Sequence, residues 1–181
     1  MPHIAVQPDV PGIRALLAFR PETAAPLGAL ANALLHEPNS LTAGERELIA
    51  AYVSKLNRCL FCFRSHAAIA ACHFGGDAPV AEAVDDPEHA NLSPKMKALL
   101  ALAAKVQQGG LAVRPEDIAR ARTEGATDVE LHDTVLIAAA FCMFNRYVDG
   151  LGALTPTDPE AYRARAAQTA AEGYVMAAPR P

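Results

Sequence analysis

Apolar residues recur at helical spacing along nearly the whole chain, and the polar interruptions between them mark where one helix ends and the next begins. Leu27, Leu30, Leu34 and Leu35 fit one face of a helix over residues 26–35, with Pro26 suited to its first turn. A shorter helix over residues 12–19 precedes it, stopped by Pro21, and Pro2, Pro8 and Pro11 predict an extended arm before that. Leu48, Ile49, Tyr52, Val53 and Leu56 form the next stripe. Thr42 stands ready as its N-cap, and Glu45 three residues on completes a capping box. Opposite the stripe lie Glu47, Ala51 and Ser54, whose small neighbours would let a second element approach the Glu47 carboxylate and bury it. Asn57 breaks the pattern, and a new helix should run to Phe74 and stop at Gly75 and Gly76. A short helix over residues 80–84 is followed by an acidic loop. Ser93 and Pro94 open a helix to Val106, Pro115 opens a short one to Thr123, and Thr127 caps a long one from Asp128 to Asp149. This last is apolar nearly all round at VLIAAAFCMF, which predicts burial. A final helix over residues 159–172, carrying Arg163 and Arg165, reads as peripheral. No segment alternates as a strand does, so the expected fold class is all-α.

Composition narrows the setting. The 181 residues suit one domain, with residues 1–20 as arm and short helix, 21–155 as core and 156–181 as peripheral helix and tail. A hydrophobic fraction of 51%, much of it alanine, predicts closely packed helices and assembly into a homo-oligomer. The net charge of -4 and absence of a dense Lys/Arg run argue against nucleic acid. The segment 115–128 mimics a helix-turn-helix in length, but its second helix begins Asp128-Val129-Glu130 and would repel phosphates. No 18-residue apolar span appears and no secretory signal opens the chain, so the expected location is cytoplasmic and no membrane partner is expected.

Reactive chemistry concentrates in ELIAAYVSKLNRCLFCFRSHAAIAACH, residues 47–73. Cys59 and Cys62 form C-x-x-C, a spacing that lets two thiols close a small disulfide, and in a reducing compartment it is more often redox-active or metal-binding than structural. His66 follows four residues after Cys62. At about 100° per residue, Cys59, Cys62 and His66 fall within about 60° on one helical stripe. Peroxide reduction by thiols needs one thiolate, a resolving thiol and a proton source, which these three residue types supply. By position alone Cys59, in the first turn of the new helix with Arg58 and Arg64 nearby, is the thiol of lower pKa. Zinc held by Cys59, Cys62, His66 and Cys72 or His73 is disfavoured, since Cys59 and His66 lie about 10 Å apart along a straight helix. Cys72 and Cys142 read as inert core residues, His73 as a packing residue, and Asn145 and Asp149 as structural groups at the end of the long helix. Glu47 would stand about 18 Å from Cys59 on one continuous helix, and reaches it only if the chain folds back near Asn57 or a neighbouring subunit supplies it.

The order Glu47, eleven residues, Cys59, two residues, Cys62, three residues, His66 resembles the signature of the alkylhydroperoxidase D (AhpD)-like proteins of the carboxymuconolactone decarboxylase superfamily. The wording around it, and the stretch ending Asn145-Arg146-Tyr147-Val148-Asp149-Gly150-Leu151-Gly152, is similar to the peroxidase-related branch; together they cover about residues 20–155. The resemblance implies an AhpD-like helical bundle, homo-oligomeric assembly, and dithiol-dependent reduction of small organic hydroperoxides without a cofactor or metal. It assigns peroxide attack to Cys62, resolution to Cys59, and proton relay to Glu47 and His66. It also implies a dithiol reductant, of dihydrolipoyl or thioredoxin type. Some relatives carry a second histidine immediately before the second cysteine, where this chain has Phe61. Other readings of the same residues are a non-catalytic thiol redox sensor, a zinc-binding member, and a decarboxylase of lactone acids.

Overall fold

The computed structural model describes residues 1–174, and the last part of the expected C-terminal tail, 175–181, lies outside the described residues. Among the described residues nine α-helices and one 3-10 turn account for the regular structure, without a strand. They are α1 (Ile13–Phe19), α2 (Pro21–Leu35), α3 (Ala43–Leu56), α4 (Leu60–Phe74), α5 (Asp77–Asp85), α6 (Pro94–Gln108), the 3-10 turn (Gly110–Ala112), α7 (Pro115–Thr123), α8 (Asp128–Gly150) and α9 (Glu160–Glu172). No helix among them is long and apolar enough to cross a membrane.

Two expectations about helix extent are corrected. Helix α2 begins at Pro21, not Pro26, and carries Pro26 inside it. Proline at this depth costs one backbone bond, the one Glu22 would have accepted, but Glu22 is exposed in the first turn and water can serve its carbonyl. Helix α5 spans Asp77–Asp85, longer than the 80–84 expected, because Pro79 falls in its first turn, where no intrahelical donor is needed.

The hairpin of α3 and α4 is the centre of the molecule. Thr42 and Glu45 form the expected capping box, with Glu45 N donating to Thr42 Oγ1 at 3.2 Å and Thr42 N donating to Glu45 Oε2 at 2.8 Å. Asn57 caps the other end, and Arg58 then takes the left-handed conformation (φ 60), reversing the chain. The returning helix α4 lies against the small face of α3. At one end of the pair a Cβ on Gly44 would stand 2.7 Å from His73 Cβ, so only glycine allows this approach. Leu48, Ile49 and Val53 are fully buried as the stripe predicts, but so are Ala50, Ala51 and Ser54, while Leu56 is exposed: α3 is enclosed on nearly every side by α4, α6 and α8. Helix α8 departs from its expected full burial. Ile137, Ala138, Phe141 and Phe144 are buried, yet Val129, Leu136 and Met143, seven residues apart, are exposed along one edge.

Arg46 is 2% exposed, an unusual place for a guanidinium. It donates to Leu34 O at 3.0 Å and Glu37 O at 2.8 Å, carbonyls at and just after the end of α2, and also to Thr42 O at 3.4 Å, which already accepts from the Arg46 backbone N. Arg46→Met removes these charge-assisted bonds while keeping most of the volume; it should lower stability by about 2–4 kcal/mol in urea unfolding, with the slope of the transition unchanged.

Helix α9 is not peripheral. It packs along α4, with Tyr162, Ala166 and Thr169 buried. The N-terminal arm also engages: His3 N donates to Leu151 O at 2.9 Å and Gly12 N to Leu154 O at 2.8 Å. Gly12 has φ 58 and presses on the Phe61 ring, leaving no room for a side chain. Arm, α8 end and α9 together enclose a second apolar cluster containing Leu16, Cys59, Phe61, Cys62, Val148 and Tyr162.

Candidate functional site

The reversal at Asn57 and Arg58 places Cys59 one position earlier in the new helix than expected, as the N-cap of α4, with Cys62 in the first turn and His66 one turn on. Both cysteines are free thiols; Cys59 is fully buried and Cys62 is 4% exposed. The same reversal brings Glu47 alongside His66 within one chain, so no neighbouring subunit is needed for this contact. His66 Nδ1 stands 2.7 Å from Glu47 Oε2, and the Glu47 side chain is only 3% exposed.

The structure adds a third group. Tyr174 donates its hydroxyl to Glu47 Oε1 at 2.5 Å and lies 3.2 Å from His66 Nδ1, with its ring stacked beside the imidazole. Gly173 (φ 75) turns the chain inward after α9, close enough to Asn32 and His36 that a Cβ would clash, and Tyr174 N donates to Asn32 Oδ1 at 2.9 Å. Nothing in local sequence could reveal a partner 127 residues from Glu47. Burial and the Glu47 charge push the Tyr174 hydroxyl well above its ordinary range, so it remains a donor. Tyr174→Phe deletes a hydrogen bond to a buried carboxylate and should cost about 1.5–3 kcal/mol in urea unfolding.

Asn145 and Asp149, read as structural from the sequence, face the cysteines. Asn57 Nδ2 donates to Asn145 Oδ1 at 2.8 Å, Gln107 Nε2 to Asn57 Oδ1 at 2.9 Å, and Asn145 Nδ2 to Ser54 Oγ at 3.0 Å. This chain of amides holds Asn145, 1% exposed, where its side chain also reaches Cys62, while Asp149 one turn later reaches Cys59. The available signal was a lone amide inside an otherwise apolar helix, with a carboxylate four residues on.

The electrostatics separate the two thiols. Cys62 is held below the ordinary thiol range: the hydrogen bond from Cys59 is the largest cause, and His66 and the Asn145 amide add to it against the cost of burial and the charge of Asp149. Cys59 is pushed up, first by donating that hydrogen bond and then by burial and the nearby Cys62 charge. The position-based preference for Cys59 as the more acidic thiol is thus reversed. Burial opposes protonation of His66, but the Glu47 carboxylate beside it and the Cys62 charge outweigh burial, so its pKa is raised. The arginines expected to help do not: Arg64 donates to Pro156 O at 2.9 Å and sits over the Tyr162 ring, and Arg58 is exposed at the turn.

Cys62, His66 and Tyr174 open onto a cavity of about 170 Å³, largely apolar, walled by α1, α2, α4, α8 and α9. Phe61 lines it as well, contributing apolar surface and no proton. The remaining cysteines stay out of this arrangement. Cys72 is exposed, not in the core, and Cys142 is half-buried with Asn57 Nδ2 3.6 Å from its sulfur. His73, near the end of α4, is exposed. Among the described residues, no three His, Cys, Asp or Glu side chains stand where they could share a metal ion.

Residues 21–84 match the model of the carboxymuconolactone decarboxylase family. The fold is similar to that of an uncharacterized peroxidase-related protein from Ralstonia eutropha JMP134, described as an alkylhydroperoxidase AhpD core. The TM-score is 0.76 and the identity 29%, over 84% of this chain and 80% of that one. It is similar also to an uncharacterized peroxidase-related protein from Silicibacter sp. TM1040, with a TM-score of 0.77 and 25% identity over 85% of this chain and 79% of the other. No curated protein sequence matches the chain.

Proposed function

We propose that this AhpD-like member of the carboxymuconolactone decarboxylase superfamily is a thiol-dependent peroxidase that reduces small organic hydroperoxides. The observation that carries the proposal is the split between the two thiols at the edge of an apolar cavity: Cys62 acidified, Cys59 kept protonated, and His66 within one turn.

In this reading the Cys62 thiolate attacks the terminal oxygen of the hydroperoxide. The O–O bond breaks, Cys62 becomes a sulfenic acid, and the alkoxide leaves with a proton to become the alcohol. His66 supplies that proton, held in its protonated form by Glu47, and Tyr174 fixes the carboxylate. Cys59 then attacks the sulfenic sulfur, forming the Cys59–Cys62 disulfide; the departing hydroxide takes up the Cys59 proton, directly or by way of Asp149 or solvent, and leaves as water. An external dithiol returns both cysteines to thiols and is itself oxidised to a disulfide, which closes the cycle.

The test is steady-state consumption of cumene hydroperoxide with dihydrolipoate as reductant. Many turnovers per protein, dependent on both components, are expected. A single equivalent of peroxide consumed without turnover would instead favour a thiol sensor, and no consumption would overturn the reading.

A further inference from the structure

The cavity above Cys62 carries a charge that the peroxide chemistry leaves unused. Arg14 from α1 and Arg165 from α9 both line it and are exposed at its rim, and no Asp or Glu is among its lining residues. Neither guanidinium has an ion-pair or hydrogen-bond partner among the described residues. Arg163 on the same helix, by contrast, pairs with both Asp77 and Glu160. In a chain of net charge -4, two guanidiniums facing one apolar cavity, without an acidic partner among the described residues, are a local reversal of sign. They feel each other as well, since burial and the Arg165 charge both depress the Arg14 pKa. An anion bound between two like charges relieves their mutual repulsion, and a planar carboxylate suits guanidinium donors.

We infer that the substrate is an amphipathic hydroperoxide bearing a carboxylate: Arg14 and Arg165 bind the anionic group at the rim, Leu17, Leu27, Phe141 and Phe144 enclose the apolar body, and the hydroperoxide end meets Cys62. This rests on the peroxidase reading for the reacting end, whereas the anion site stands on the arginines and the cavity. A cavity of about 170 Å³ selects a compact acid over a long chain.

The test uses a matched pair, cumene hydroperoxide and the same molecule with a para-carboxylate, in single-turnover oxidation of the reduced protein. The acid should react at least about tenfold faster at low salt, the gain expected of one charge-assisted contact, and the advantage should shrink as salt is added. In the double variant Arg14→Gln/Arg165→Gln the ratio of the two rates should fall to near one, while Arg163→Gln keeps the native ratio. A non-reactive analogue, 4-isopropylbenzoate, is titrated calorimetrically into native protein and the double variant. Saturable binding to the native form alone supports the anion site even if no peroxide reacts, which would sink only the peroxidase reading. Equal rates for the two peroxides, or no saturable binding of 4-isopropylbenzoate to the native protein, overturn the anion site.

Discussion

Cys62→Ser should lower the rate of protein oxidation by cumene hydroperoxide by at least about 10³-fold, the scale on which removal of a nucleophile acts. The substitution keeps the first turn of α4 and nearly the same volume, so the expected loss is chemical: a serine hydroxyl is not ionised near neutral pH and does not attack a peroxide oxygen at a useful rate. Cys59→Ser separates the two roles. It retains Cys62 and its cavity face but removes the resolving thiol, so oxidation should stop at a sulfenic acid that a dimedone-type trap captures by mass spectrometry. Cys59→Ala would in addition remove the hydrogen bond that most lowers the Cys62 pKa, so with that variant this first step should need a higher pH than in the native protein. If Cys59→Ser lost all reactivity and Cys62→Ser kept it, the roles would be exchanged, as position in the helix alone first suggested.

Glu47→Gln is expected to have the second largest effect, a loss of about 10²-fold in the same rate, at the lower end of what positioned proton transfer supplies. The sign of its pH effect follows from the pair. Glu47 raises the His66 pKa, and protonated His66 in turn favours the Cys62 thiolate. Without the carboxylate, His66 is left with burial as its main influence and loses its proton at lower pH. Cys62 then loses its cationic neighbour, and its ionisation, followed by ultraviolet thiolate absorbance, should move to higher pH. In the native protein the rate should rise as Cys62 ionises, below the ordinary thiol range, and fall again as pH passes the raised His66 value. The linkage for stability has the same origin. A raised His66 pKa contributes stability that is fully present below the unfolded value of about 6.5 and lost as pH rises through the folded value. A Glu47→Gln protein with native stability below pH 6, or with an unmoved thiolate titration, would remove Glu47 from the relay.

What could be read from sequence and what could not divides along the distance between partners. Local signals were sound: the Thr42 and Glu45 capping box, the break at Asn57, the Gly75 stop after α4 and the spacing of Cys59, Cys62 and His66 all act within a turn or two of helix. The small neighbours of Glu47 point to a close approach, yet its contact with His66 depends on Arg58 accepting a left-handed conformation, which the residue type does not announce. Tyr174, Asn145 and Asp149 reach the site through packing of α8 and the segment after α9, and no period in the sequence encodes that. The reading of Cys59 as the acidic thiol failed for a related reason. Helix-end effects favour Cys59, but the hydrogen bond between the two thiols, with His66 and Asn145 on the Cys62 side, outweighs them. Pro26 shows the same limit on the fold side: an exposed first turn tolerates a proline that the pattern takes as a start.

The central claim is that Cys59 and Cys62 act together as a peroxide-oxidised pair. Its most direct test is to reduce the native protein fully, add one equivalent of cumene hydroperoxide, count the free thiols remaining, and map any disulfide by peptide mass spectrometry. The account predicts that two of the four thiols disappear and that the new bond joins Cys59 to Cys62, with Cys72 and Cys142 still free. Survival of all four thiols, or a disulfide that involves Cys72 or Cys142 in place of this pair, would contradict it.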